Sequence, residues 1–178
     1  MKENIKMKNI DFELGRLSGI LDAFALINTK CNHGYSFEIT HLKTNCESQR
    51  AFQDYFLEIY PDAQMTFEEL TVTDLKVRDA LRTWLFSYQK ADDVDESLIG
   101  TGSPDCYLED QYQAFVLTER DAQQSFVDDF LAKLNALLVT QKVYQVHVCT
   151  HSWYECAWDD FILEGQEGSV FLHLAVSD

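Results

Sequence analysis

A chain of 178 residues suits one domain, and a core of that size folds without disulfides or metals. Its 46% hydrophobic and 13% aromatic content excludes global disorder, and five cysteines at irregular spacing exclude a disulfide framework. The formal net charge is −16 and the acid is concentrated: residues 91–178 hold 17 Asp/Glu against Arg120, Lys133 and Lys142, whereas residues 1–90 hold 13 Asp/Glu and 11 Lys/Arg.

Such an acidic half repels phosphates and anionic membranes and steers basic partners, so neither nucleic acid nor a membrane is expected as a partner. The basic start, Met1 to Lys8, is followed by Asp11, Glu13, Arg16 and Asp22, which interrupt any apolar signal region. The expected setting is the cytoplasm, with reduced thiols.

The chain begins with an amphipathic pattern over residues 10–28, in which Ile10, Leu14, Leu17, Leu21 and Phe24 follow the helical period. Gly15 and Gly19 lie four apart on that helix, a spacing that suits close packing against a strand. Asn32-His33-Gly34 signals a turn, and Tyr35–Leu42 alternates as a strand with Tyr35, Phe37 and Ile39 on one side. Thr44-x-x-Glu47 has the form of a capping box for a helix with Phe52, Tyr55, Phe56 and Ile59 on its apolar face, ending before Pro61. A short mixed stretch with Phe67 and Leu70 follows. Thr73 is placed to cap a helix carrying Leu75, Leu81, Trp84, Leu85 and Tyr88.

Residues 91–111 read as an acidic loop, and Tyr112–Leu117 as a short strand. Thr118 is placed to cap the strongest helix, Glu119–Leu138, with Phe126, Val127, Phe130, Leu131, Leu134, Leu137 and Leu138 on one side. Three strands close the chain, over Val143–Thr150, Ala157–Glu164 and Ser169–Val176, the last two joined by Gly165-Gln166-Glu167-Gly168. The expected fold is α+β: one domain over 1–178, helix-rich in its N-terminal two-thirds, with helices on one face of a C-terminal antiparallel β-meander.

Alternation assigns faces on these strands. Tyr144, Val146 and Val148 suit the core, leaving His147, Cys149 and then His151 on the other face. Val170, Leu172, Leu174 and Val176 suit the core, leaving Phe171 and His173 outside. Imidazole and thiolate are natural zinc ligands, so His147, Cys149, His151 and His173 form an alternative metal or enzyme site, although their spacing matches no zinc pattern. Cys31/His33 and Cys149/His151 are too close in sequence for the usual thiol–imidazole geometry, and nearby acid raises a thiol pKa. Asp93-Val94-Asp95-Glu96 lacks the glycine of a calcium loop. Neighbouring strand residues face opposite ways, so Asp159 and Asp160 do not share a site.

The favoured function is therefore binding, without a cofactor and without catalysis. Asp92, Asp93, Asp95, Glu96, Asp105, Glu109 and Asp110 are the steering candidates. Trp153, Tyr154, Trp158, Asp159 and Asp160 are the anchor candidates, because buried aromatic side chains dominate interfaces. In size, acidity and lack of a catalytic motif the chain resembles toxin-immunity proteins and nuclease inhibitors, which implies a basic protein partner such as a toxin or nuclease. A homodimer through the apolar front helices is the further option.

Overall fold

The computed structural model describes residues 2–31, 34–42, 47–87, 117 and 119–177. The expected loop at 91–111 and strand at 112–116 lie outside them. The first helix, α1 (Lys2–Cys31), buries Ile10, Leu14, Leu17, Leu21, Ala25 and Asn28, a stripe at spacings of three or four. Gly15 and Gly19 are not on that stripe. A Cβ added at either meets nothing within 4 Å, so the expected close packing of these glycines against a strand does not occur.

Strand β1 (Tyr35–Leu42) is followed by α2 (Ser48–Ile59), β2 (Gln64–Leu70) and α3 (Leu75–Phe86). Helix α4 (Arg120–Leu138) then precedes β3 (Thr140–Cys149), β4 (Ala157–Gly165) and β5 (Gly168–Val176). The expected caps move by one to three residues. Helix α2 starts after Glu47, with no side-chain cap, rather than at Thr44. Asp74, not Thr73, caps α3 by accepting from the Lys76 amide at 2.8 Å. Helix α4 starts after Glu119 rather than Thr118, with Asp121 in its first turn.

All five strands pair antiparallel in the order β1-β5-β4-β3-β2. The C-terminal meander forms the centre, and two strands from the front of the chain flank it. The β4–β5 turn also closes the C-terminus of α4. Glu167 N–H donates to the Leu138 carbonyl at 3.0 Å and Gln166 N–H to that of Val139 at 3.3 Å, satisfying two carbonyls that the helix end exposes.

The helices do not share one face, which corrects the expected layering. Helices α1, α3 and α4 cover one side, where Phe37, Val143, Phe161, Leu163, Leu172 and Leu174 form the main core. Helix α2 covers the other side. There Phe52 and Phe56 meet Leu42, Tyr144, Val146, Ile162 and Phe171 in a second core. Phe52 and Phe171 ring centroids lie 4.6 Å apart. Burying one such ring stabilises by about 1.5–3 kcal/mol, which is why α2 holds this position despite its uncapped start. Phe171 and His173, expected outside, are consequently buried beneath it. No helix among the described residues is long and apolar enough to cross a membrane.

Candidate functional site

The α2 side of the sheet carries a row of directly opposed residues, one from each strand: Phe67, Val146, Asp160, His173 and Glu38. Directly opposed residues share a face, so the two carboxylates flank the imidazole on one surface. The row is set by the β4–β5 hairpin. Gly165 faces Gly168, and five residues out from each lie Asp160 and His173.

Asp160 and His173 are both buried. His173 Nδ1 donates to Asp160 Oδ1 at 2.6 Å, and the Tyr154 hydroxyl donates to Asp160 Oδ2 at 2.8 Å. The Tyr154 oxygen also lies 3.2 Å from Nδ1. On the far side of the ring, Nε2 is 3.8 Å from Glu155 Oε1. Burial opposes charge on His173. The hydrogen bond to Asp160, with the charges of Asp160, Glu155 and Glu38, outweighs it and holds the imidazole above its ordinary range. Burial, then the Asp160 charge, pushes the Tyr154 hydroxyl far above the tyrosine range, so it remains a donor. Burial also pushes the Glu155 carboxyl up, although His173 pulls it the other way.

Beside this network a cleft of about 150 Å³ opens between α2 and the β1–β5 edge. It is lined by Ser36, Glu38, Tyr55, Phe56, Ile59, Tyr60, Tyr154, Glu155, Phe171 and His173. Among the described residues no Lys or Arg lines it. Glu38 accepts from Ser36 Oγ at 3.1 Å, whereas Glu155 Oε2 is buried with no hydrogen-bond partner among the described residues. Leaving a buried acceptor unpaired costs about 1–3 kcal/mol, and more when it is charged.

The loop that delivers Tyr154 and Glu155 is anchored from below. Asp62 accepts from the His151 amide at 2.7 Å, from Thr150 Oγ1 at 3.0 Å and from Ser152 Oγ at 3.3 Å. The His151 amide first, then Thr150, holds the Asp62 carboxyl down at about 2.

The anchor candidates separate. Tyr154 sits in the network, and Trp158 packs edge-on against it at 5.2 Å. Trp153 is 67% exposed, which leaves it available to a partner. Asp159 and Asp160 point to opposite faces, as alternation requires. Asp159 accepts from Trp84 Nε1 at 2.8 Å, and Asp160 is only 1% exposed, so it presents no surface to a partner. The steering candidates Asp92, Asp93, Asp95, Glu96, Asp105, Glu109 and Asp110 lie outside the described residues.

The alternative His/Cys cluster is not brought together. His147 faces away from Val146, 3.7 Å from Glu68 on the opposite side of the sheet from His173. Cys149 is exposed, and the His151 side chain is 93% exposed beside Asp62. Among the described residues no group of three or more His, Cys, Asp or Glu is arranged to hold a metal ion.

Sequence reasoning missed Glu38, Tyr55 and Tyr60 as site residues and left His173 on an open face. The signal was present: placing Tyr35, Phe37 and Ile39 on one side of β1 puts Glu38 on the other. Comparison with protein-family models, with curated proteins and with solved structures finds no match to this chain.

Proposed function

We propose that this protein is a small acidic binding protein of the cytoplasm that captures and neutralises a basic protein, in the manner of a toxin-immunity protein or nuclease inhibitor. The observation that carries this reading is the cleft beside His173. Among the described residues it combines Glu38, Glu155 and aromatic walls with no Lys or Arg, beside the His173 imidazole that Asp160 already pairs, and the buried Glu155 Oε2 has no hydrogen-bond donor. A cation supplied from outside completes it. The net charge of −16 adds long-range attraction that speeds encounter with a basic surface. Binding rather than chemistry is the reading supported by the setting of His173, whose ring lies between Asp160 and Glu155 and is held above its ordinary pKa.

The test is affinity capture from the source lysate at low and high salt, with mass spectrometry and then titration of the purified pair. A stoichiometric basic protein should be retained, with an association rate that falls as salt rises. Capture of neutral or acidic proteins only, or a basic protein bound with no salt dependence, would refute the reading.

A further inference from the structure

The cleft has a more specific shape than an acidic patch. Three of its rings form a fixed corner. Phe56 and Tyr60 stack at 4.9 Å, and Tyr154 meets them edge-on at 5.3 Å and 5.2 Å. Each ring is held by the other two, so the wall is in place before anything binds. Glu38 from β1, Glu155 from the loop before β4 and His173 from β5 line the same cleft. A space of about 150 Å³ takes one benzene-sized group.

Two kinds of cation are available to a protein partner, and the cleft distinguishes them. An ammonium is a compact, strongly hydrated point charge that gives up its water reluctantly. A guanidinium is planar and more weakly hydrated. It can lie on an aromatic face and still direct its N–H donors sideways to more than one carboxylate. The cleft offers both the ring faces and two separate carboxylates, and among the described residues Glu155 Oε2 has no donor such as this group brings. The imidazole next to it is not a barrier, because Asp160 holds its Nδ1 at 2.6 Å, on the side away from Glu155.

We infer that this cleft receives the guanidinium of one arginine side chain of the basic partner, placed on the Phe56–Tyr60–Tyr154 corner and hydrogen-bonded to Glu155 and Glu38. The inference rests on the capture function proposed above, and commits it to one side chain and one pocket.

The experiment uses the full chain with labelled histidine and tyrosine, followed by NMR. N-ethylguanidinium, n-propylammonium and the capped tripeptides Gly-Arg-Gly and Gly-Lys-Gly are titrated in turn. The His173 ring and Tyr154 signals should shift saturably with the guanidinium probe and the arginine peptide, and the ammonium probe and lysine peptide should bind about tenfold more weakly. Glu155→Gln keeps the shape and removes the charge, and its melting curve shows whether it folds. Folded Glu155→Gln should lose most of the guanidinium response. Folded His147→Gln, on the opposite side of the sheet, should retain it.

No saturable shift with either arginine-type probe overturns the inference, as does equal binding of the two cation types or an unchanged response in folded Glu155→Gln. Binding of N-ethylguanidinium with exclusion of the arginine peptide overturns the assignment to a partner side chain and leaves a small-molecule guanidinium site. The two levels fail separately. A captured basic protein that binds wild type and Glu155→Gln equally removes the arginine pocket and spares the capture function. A guanidinium response without any basic partner removes the capture function and, with it, the partner's arginine.

Discussion

His173 and Asp160 face each other across β5 and β4, with Nδ1 2.6 Å from Oδ1, and this buried pair lies on the α2 side of the sheet with Glu38 next in the same row. Its titration should be visible in stability. The folded His173 pKa is raised above the ordinary value of 6.5. The contribution of His173 is therefore complete below 6.5 and is lost as pH rises through its raised folded value. Asp160, Glu155, Glu38 and Tyr154 are the groups that face the ring, and the three carboxylates favour its charged form. Melting temperature measured against pH, as the difference between wild type and His173→Gln, should fall on the alkaline side of 6.5. A difference that instead grows with pH would contradict the ion pair.

The same network separates two substitutions that look similar on paper. Asp160→Ala removes the acceptor of both the imidazole and the Tyr154 hydroxyl, and strands a buried cation. Breaking a buried pair in this way costs about 3–5 kcal/mol. Tyr154→Phe keeps the ring contacts with Phe56, Tyr60 and Trp158 and removes one hydroxyl, so it should cost about 1–2 kcal/mol. Urea unfolding of the two variants checks the order. Equal losses would mean that the phenol, not the ion pair, holds Asp160.

Three glycines give a contrast that composition does not show. Gly15 and Gly19 stand in the middle of α1 with open space where a Cβ would go. Alanine at each should stabilise by about 0.5–1 kcal/mol, since glycine only adds chain entropy there. At Gly165 an added Cβ would lie 2.1 Å from the Leu138 carbonyl oxygen, at the point where the β4–β5 turn closes α4. Gly165→Ala should destabilise by about 1–3 kcal/mol, the usual range for overpacking. Thermal melts of the three variants read the sign directly.

Much of this architecture was legible in the sequence, and the failures share one cause. The boundaries of β1, β4 and β5 follow from alternation and the Gly165–Gly168 turn, because period and turn chemistry are local. Helix α4 follows from its apolar stripe. What alternation does not supply is whether a second face is covered. Phe171 and His173 looked external because nothing local shows that α2 crosses over them. Strand β2 was missed because it is an edge strand. The adjacent Glu68 and Glu69 break its alternation, yet its pairing with β3 holds it in place. The site suffered likewise: the Asp160–His173 pair was countable from the hairpin, but its burial was not.

Asp62 connects this fold to its site through a loop rather than through the core. It lies between α2 and β2 and accepts from the His151 amide, Thr150 and Ser152, immediately before Trp153, Tyr154 and Glu155. The carboxyl is held at about 2, below its ordinary 3.8, so its stabilising contribution is present above 3.8 and lost as pH falls towards 2. Because Asp62 is exposed at the surface, the effect should be local. Asp62→Ala should leave global unfolding nearly unchanged and speed hydrogen exchange at the His151 and Ser152 amides. It should also loosen the placement of Tyr154 and Glu155, seen as broadened Tyr154 resonances and weaker guanidinium binding. In wild type the same amides should lose protection between pH 3.8 and 2, and the difference from Asp62→Ala should vanish below that window. Identical exchange in the two proteins at neutral pH would show that the strand ends, not Asp62, position the loop.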